Sequence, residues 1–215
     1  MPESLKQQLH RGADVEVVQA PLTATRQQLA EIAARNTVDM FSVDAQHGPL
    51  NEESLVSFCA AADELNIPVQ LRIKHTRHAY LIGNYLDLGP MAIMVPQVET
   101  EATVDEAIDA FYYPPLGKRS WGPLWGYGFD DSSERLEYAE WWNQTGILIL
   151  QLESVHAVTN ATLFAKPGVD MLAFGPNDLN FSLEAYPNHP FKSVADCVAH
   201  VEEQMAGTEV KVSGL

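Results

Sequence analysis

The stretch that decides the fold is Ile147-Leu148-Ile149-Leu150-Gln151-Leu152-Glu153-Ser154. Its apolar run predicts a buried strand, and the acidic side chain of Glu153 stands at the end of that strand. A second such arrangement, Ala173-Phe174-Gly175-Pro176-Asn177-Asp178-Leu179, places Asp178 25 residues further along the chain. This spacing matches one strand-plus-helix unit, so both carboxylates are expected at the carboxyl ends of neighbouring parallel strands. Two carboxylates in that position suit a divalent metal.

Polar residues recur at the predicted ends of other strands. The series consists of Asp44, Arg72, Gln97, Glu153 and Asp178. Its successive members are 28, 25, 56 and 25 residues apart. A (β/α)8 barrel has about 31 residues per strand-helix unit and gathers its catalytic groups at the carboxyl face of the strands. The sequence therefore predicts a TIM-type α/β barrel, with the whole chain, 1–215, as a single domain.

Hydrophobic periodicity supports this alternation of strands and helices. Apolar runs predict strands at 15–20, 40–44, 68–73, 91–97, 147–153 and 209–213, besides the strand that leads to Asp178. Helical spacing predicts helices at 25–35, 52–65, 78–86, 103–110, 134–143 and 191–206. The segment 112–133, rich in Pro, Gly and aromatic residues, is too long for an ordinary connection, which indicates a functional or mobile loop.

Composition excludes several classes of partner. The chain has 29 acidic and 13 basic residues and a formal charge of −16, which argues against nucleic acid and anionic membranes as ligands. Its apolar runs are shorter than a membrane span, and its polar start lacks the apolar core of a secretory signal, so a cytoplasmic protein is expected. Cys59 and Cys197 lie in helical patterns without metal-type spacing and are interpreted as packing residues.

Several motifs resemble those of the metal-dependent pyruvate aldolases of the HpcH/HpaI type, the 4-hydroxy-2-oxoheptanedioate aldolase family. The resemblance spans most of the chain and preserves the order of the motifs. The matching residues are Asp44-Ala45-Gln46-His47-Gly48-Pro49, Arg72, Leu86-Asp87-Leu88-Gly89, Tyr113-Pro114-Pro115-Leu116-Gly117-Lys118-Arg119, Gln151-Leu152-Glu153-Ser154 and Gly175-Pro176-Asn177-Asp178-Leu179.

This resemblance implies a class II aldolase that reversibly cleaves a 4-hydroxy-2-oxoacid to pyruvate and an aldehyde through a metal-stabilised pyruvate enolate. Its metal ligands would be Glu153 and Asp178. Carboxylate oxygens are hard ligands, so Mg²⁺ or Mn²⁺ is expected, with Co²⁺ as a further option. The family also implies a homo-oligomer, a hexamer built as a trimer of dimers.

The resemblance assigns further roles. His47 would move the proton, because imidazole exchanges protons near neutral pH. Asp87 or Asp44 would orient His47, and Arg72 would contribute positive charge to the enolate. Arg119, in the long loop, would hold the aldehyde or its acid group. The full set of expected substrate contacts is Arg72, Gln151, Gly175, Pro176, Asn177 and Arg119.

The chain departs from the family in two places. Gln46 stands where the family has an acidic residue, which replaces a carboxylate near the metal by a neutral amide. The family continues beyond the position of Leu215, so the barrel is expected to lack its last strand and helix. Its exposed strand edges would then need covering.

Other interpretations stay open at this stage. Asp178 could cap the following helix, and Arg72 could pair with a structural acid. In place of an aldolase, the chain could be a citrate or malyl-thioester lyase or an oxaloacetate decarboxylase of the same superfamily. It could also be a non-catalytic subunit that binds metal or oxoacid, since a barrel fold does not determine activity.

Overall fold

Seven parallel strands in sequential order form the centre of the protein. The computed structural model describes residues 3–213. The strands are β1 (Val17–Gln19), β2 (Met40–Asp44), β3 (Val69–Arg72), β4 (Ala92–Val95), β5 (Ile147–Leu152), β6 (Met171–Phe174) and β7 (Lys211–Val212). Each strand pairs with its neighbours in the sequence, in the order β1 to β7. This topology, with helices between the strands, confirms the predicted TIM-type α/β fold.

Helices connect successive strands. They are α1 (Leu5–His10), α2 (Arg26–Arg35), α3 (Glu52–Asp63), α4 (Ile82–Leu86), α5 (Glu101–Phe111), α6 (Arg135–Thr145), α7 (Val155–Thr159), α8 (Ala161–Phe164), α9 (Pro176–Ala185) and α10 (Val194–Met205). The predicted helix 78–86 is in fact a 3₁₀ turn, Thr76–Leu81, followed by α4. The helical patterns gave no range for α1, α7, α8 or α9; a helix at the position of α9 was expected only as the one that follows Asp178.

Local chemistry explains the strongest elements. All six residues of β5 are buried, as its apolar run predicts, and they include the polar Gln151. One face of α10 is buried, at Val194, Cys197, Val198, Val201 and Met205, which is the spacing of an amphipathic helix. Ser193 caps this helix, since its side chain accepts a hydrogen bond from the amide of Asp196.

Alternation along the strands separates two cores. Outward-facing residues such as Leu148 and Leu150 belong to the large cluster beneath the helices. Inward-facing residues of the strand starts form a second cluster inside the sheet, composed of Leu9, Met40, Met91, Ala92, Ile147, Ile149 and Ala173. Because Leu9 comes from α1, this short helix covers the amino ends of the strands.

A buried carboxylate fastens α1 in place. Asp170 is 2% exposed. Its Oδ1 lies 2.8 Å from His10 Nε2 and 3.1 Å from Lys6 Nζ, and its Oδ2 accepts a hydrogen bond from the Leu148 amide at 2.9 Å. His10 is therefore part of this anchor.

The sheet has two ends, at β1 and β7. Within residues 3–213 there is no eighth strand, and β1 and β7 do not pair with each other. The single-domain prediction also covers residues 1, 2, 214 and 215, which lie outside the described range. No helix in the described part of the chain is long and apolar enough to cross a membrane.

Candidate active site

One cavity at the carboxyl ends of the strands collects most of the predicted site residues. It has a volume of about 370 Å³. Its walls come from the loop after β2, from β3 and β5, and from the start of α9. The residues that line it are His47, Arg72, Gln151, Glu153, Gly175, Pro176, Asn177 and Asp178. Eight residues drawn from distant parts of the sequence thus meet where the barrel geometry predicts a site.

Glu153 is held at the back of this cavity. It follows β5 directly and is 4% exposed. Its Oε2 accepts a hydrogen bond of 2.7 Å from the backbone amide of Gln97. Gln97 has a φ of +49°, a left-handed conformation that is unfavourable for a residue with a side chain. The backbone after β4 is therefore strained while its amide donates to Glu153.

Gly175 makes room for the Glu153 carboxylate. Leu152 of β5 pairs with Phe174 of β6, so the next residues, Glu153 and Gly175, are neighbours across the two strands. A Cβ atom added to Gly175 would lie 2.6 Å from Cγ and 2.9 Å from Cδ of Glu153. Any larger residue would displace the carboxylate, which is a packing reason for glycine here.

Asp178 lies in the first turn of α9. Gly175 is the N-cap of this helix and Pro176 occupies its first position, where a missing amide hydrogen has no structural cost. Asp178 is thus not the cap residue of this helix, and the alternative interpretation of Asp178 as a helix cap is wrong. A carboxylate in the first turn is favoured by the helix dipole.

The environment of Glu153, including Asp178, raises the pKa of its carboxyl group. Burial raises the pKa of Glu153; the Gln97 amide opposes this shift, and the negative charge of Asp178 adds to it. Arg72 and His47 lower the pKa of Glu153 by smaller amounts. A buried carboxylate beside a second one is disfavoured in its charged form unless a cation balances the pair.

The donor set fits a hard divalent cation. Within residues 3–213, no group of three or more His, Cys, Asp or Glu side chains has the arrangement to hold a metal ion. Catalytic zinc uses three protein ligands, whereas Mg²⁺ is usually bound by one or two carboxylates and keeps several waters. Glu153 and Asp178 therefore suit Mg²⁺ or a similar ion better than zinc.

Arg72 is fixed across the cavity by two neighbours. Its Nε donates to Asp44 Oδ1 at 2.9 Å, and its Nη2 donates to Asp44 Oδ2. Its Nη1 donates to Gln151 Oε1 at 3.3 Å. This bidentate pair holds the guanidinium plane in one orientation.

Asp44 also orders the turn that carries His47. Burial alone would raise the pKa of Asp44, but Arg72 and the amides of Gln46 and His47 outweigh it, so this pKa is lowered. Asp44 Oδ1 accepts hydrogen bonds from Gln46 N at 2.9 Å and His47 N at 3.4 Å. Asp44 thus contacts the backbone of His47, whose exposed side chain reaches the cavity.

The structure places Asp87 and Arg119 elsewhere. Neither lines the cavity. The Arg119 side chain is fully buried and its Nη2 donates to Asp87 Oδ1 at 2.6 Å. The guanidinium carbon lies 4.7 Å from the ring centre of Tyr113 and 4.6 Å from that of Trp142. Within this chain these residues pair with each other; the resemblance implied that Asp87 or Asp44 orients His47 and that Arg119 holds the aldehyde, and those roles stay predictions.

Two features of the site had no signal in the motifs. Gln97 was noted as a polar strand-end residue, but its contribution comes from its backbone amide, and the sequence of a non-glycine residue does not reveal a positive φ. Gly175 belongs to a recognised motif, yet its contact with Glu153 depends on the strand register.

The chain is similar to known proteins over most of its length. The model of the HpcH/HpaI aldolase/citrate lyase family matches residues 22–212. A 2-keto-3-deoxy-L-rhamnonate aldolase from Salmonella paratyphi B is 30% identical over 177 residues, which cover 78% of this chain and 62% of that protein. The chain thus spans about three fifths of the length of the curated relatives it matches.

Solved structures show the same fold. An HpcH/HpaI aldolase from Desulfitobacterium hafniense DCB-2 has a TM-score of 0.81 and 27% identity, covering 97% of this chain and 80% of that one. The citrate synthase SbnG has a TM-score of 0.77 and 25% identity, covering 98% of this chain and 90% of that one.

Proposed function

The chain belongs to the HpcH/HpaI aldolase/citrate lyase family, and from that premise we propose that it is a class II aldolase. It would reversibly cleave a 4-hydroxy-2-oxoacid to pyruvate and an aldehyde. The observation that carries this proposal is the meeting of Glu153, Asp178, Arg72 and His47 in one cavity. The similarity to a 2-keto-3-deoxy-L-rhamnonate aldolase supports the same reaction class.

Glu153 and Asp178 would hold the divalent metal, Mg²⁺ or Mn²⁺. When bound, this ion would act as a Lewis acid that favours negative charge on the keto oxygen of the substrate. The buried position of Glu153 and the amide of Gln97 keep one ligand in a fixed place. Pre-positioned ligands reduce the reorganisation that binding requires.

Arg72 would stabilise the enolate from the other side of the cavity. Asp44 fixes its guanidinium, so the donor groups are oriented before the substrate enters. A fixed donor directed at an oxygen where negative charge develops lowers the barrier more than a mobile one. Gln151, which accepts from Nη1 of Arg72, completes this polar wall.

His47 would transfer the proton. In cleavage, His47 accepts the proton of the 4-hydroxyl group while the bond between C3 and C4 breaks. The electrons of that bond move into the pyruvate enolate, and the aldehyde leaves. The enolate carbon then takes up a proton to form the methyl group of pyruvate. Condensation runs through the same steps in reverse.

A second candidate is citrate-type chemistry. The likeness to the citrate synthase SbnG supports it, because formation of citrate and aldol condensation both join an enolate to a carbonyl carbon. A third candidate, binding of metal and oxoacid without turnover, would use the same carboxylates. Exchange of the methyl protons of pyruvate separates the aldolase from the binding protein.

The test is proton NMR of pyruvate in D₂O with the protein, in Mg²⁺ and again with a chelator. We expect loss of the methyl signal only with Mg²⁺, because enolate formation replaces these protons by deuterium. Glu153→Ala and Asp178→Ala should each abolish exchange and metal binding, whereas His47→Ala should retain metal binding and lose turnover. Absence of exchange with Mg²⁺ bound, measured by calorimetry, would refute the aldolase.

A further inference from the structure

A second cavity lies on the other side of His47. It has a volume of about 360 Å³. The loop after β1 and the start of α3 form its walls. It is lined by Gln19, Ala20, Pro21, Leu22, Thr23, Val43, Asp44, His47, Gly48, Pro49, Asn51 and Ser54. His47 lines both this cavity and the one that contains Glu153, so its side chain lies at the boundary between them.

Charge distinguishes the two cavities. The described residues that line the second cavity include no Lys or Arg. Its one acidic residue, Asp44, is already paired with Arg72, which lines the first cavity. The remaining surface combines apolar groups such as Leu22 and Val43 with neutral polar groups such as Thr23. A carboxylate placed here would lose water and find no unpaired Lys or Arg among the residues that line the cavity, which is unfavourable.

Arg119 cannot supply the missing cation. Its side chain is fully buried, bonded to Asp87 and enclosed between two aromatic rings. Asp87 and Arg119 do not line the second cavity either. Release of Arg119 would leave Asp87 unpaired, which opposes such a movement.

We propose that the second cavity is the acceptor subsite and that it selects short uncharged aldehydes over aldehydes that carry a carboxylate. This inference rests on the proposed aldolase function. In condensation the methyl carbon of pyruvate loses a proton and bonds to the aldehyde carbonyl carbon. The aldehyde oxygen takes up a proton and becomes the 4-hydroxyl group. His47 reaches both cavities, so the aldehyde carbonyl lies beside it and the rest of the aldehyde extends between the loop after β1 and α3.

The first measurement compares two aldehydes that share a four-carbon chain. Butanal ends in a methyl group and succinic semialdehyde ends in a carboxylate. Each is condensed with pyruvate in Mg²⁺, and kcat/KM is obtained from product formation. We expect kcat/KM to be at least about tenfold higher for butanal than for succinic semialdehyde, because the carboxylate of succinic semialdehyde would be desolvated without a partner in the subsite.

Two variants place a cation in the proposed subsite. Thr23 and Gln19 line the cavity and are exposed, so Thr23→Lys and Gln19→Lys should fold normally. Each should lower the ratio of kcat/KM for butanal to that for succinic semialdehyde by about tenfold, since a cation within several ångströms attracts the carboxylate. Thr208→Lys is the matched control. Thr208 precedes β7, at the amino ends of the strands, and the same change of charge there should leave the ratio unaltered.

Pyruvate exchange in D₂O separates the two possible failures. The subsite is supported if pyruvate exchanges its methyl protons, the unmodified protein prefers butanal, and both lysine variants reduce that preference. Exchange together with equal or better use of succinic semialdehyde by the unmodified protein overturns the selectivity but not the aldolase. A ratio that Thr23→Lys and Thr208→Lys change equally overturns the location. Absence of exchange overturns the proposed function, and the subsite with it.

Discussion

Replacement of Gly175 by alanine tests whether the position of Glu153 determines metal binding. The new Cβ would lie 2.6 Å from Cγ and 2.9 Å from Cδ of Glu153, closer than non-bonded carbon atoms approach each other in folded proteins. Gly175 has a φ of −103°, which alanine adopts without strain. The substitution therefore acts through the displaced carboxylate and not through the backbone.

The displacement removes the 2.7 Å hydrogen bond from the Gln97 amide to Glu153. A hydrogen bond to a charged group contributes about 1.5–3 kcal/mol, so Mn²⁺ affinity should fall about ten- to hundredfold. Titration calorimetry with Mn²⁺ measures this change directly. Crowding at the new methyl group should also destabilise the fold by about 1–3 kcal/mol, measured by urea unfolding.

Gly122→Ala is the control for this experiment. A Cβ at Gly122 would lie 3.7 Å from Asp87 Oδ2, an ordinary contact. This variant should bind Mn²⁺ as the unmodified protein does. If Gly175→Ala also binds Mn²⁺ with unchanged affinity, the position of Glu153 does not control the site and the reasoning is refuted.

Three further substitutions probe the charged groups. The pKa of Asp44 lies below its usual 3.8, so Asp44→Asn should lower the free energy of unfolding by about 1–3 kcal/mol at pH 7. The loss should become smaller as the pH falls through that lowered pKa. Urea unfolding measures it, and equal losses at pH 3 and pH 7 would contradict this reasoning. Arg119→Met should destabilise the protein by about 3–5 kcal/mol, since Asp87 is left unpaired, and adding Asp87→Asn should recover part of the loss in thermal unfolding. The raised pKa of Glu153 favours its protonated form in the fold, and this contribution is lost as the pH rises through the raised pKa. With a chelator present, Glu153→Gln should therefore melt above the unmodified protein at pH 8, and the two melting temperatures should converge near pH 4; a constant gap would count against burial as the cause.

Local patterns in the sequence predicted the parts of the fold that depend on local physics. The apolar run of β5 indicates a buried strand because its five apolar residues face one core or the other, while Gln151 faces the active-site cavity. The apolar residues of α10 repeat with the period of a helix, so the sequence predicts which face of α10 is buried. The short helices α7 and α8, of five and four residues, are too brief to show a period.

Parts of the site depend on contacts between distant residues and were less predictable. Glu153 and Asp178 were found because strand ends converge in every parallel barrel. The pairing of Arg119 with Asp87 was not predicted, because Asp87 is 32 residues away and the chain has other acidic residues that could pair with Arg119. The positive φ of Gln97 follows from the path of the chain after β4, and glutamine at that position does not predict it.

The anchoring of α1 has a consequence for the order in which the protein assembles. An isolated helix of six residues is not stable in water, so α1 depends on its tertiary contacts. Its His10 binds Asp170, which lies 160 residues later in the chain. Helix α1 therefore becomes stable only after the segment that carries Asp170, directly before β6, has folded against it. Protection of the α1 amides against hydrogen exchange would consequently report long-range folding up to Asp170 and not a local event.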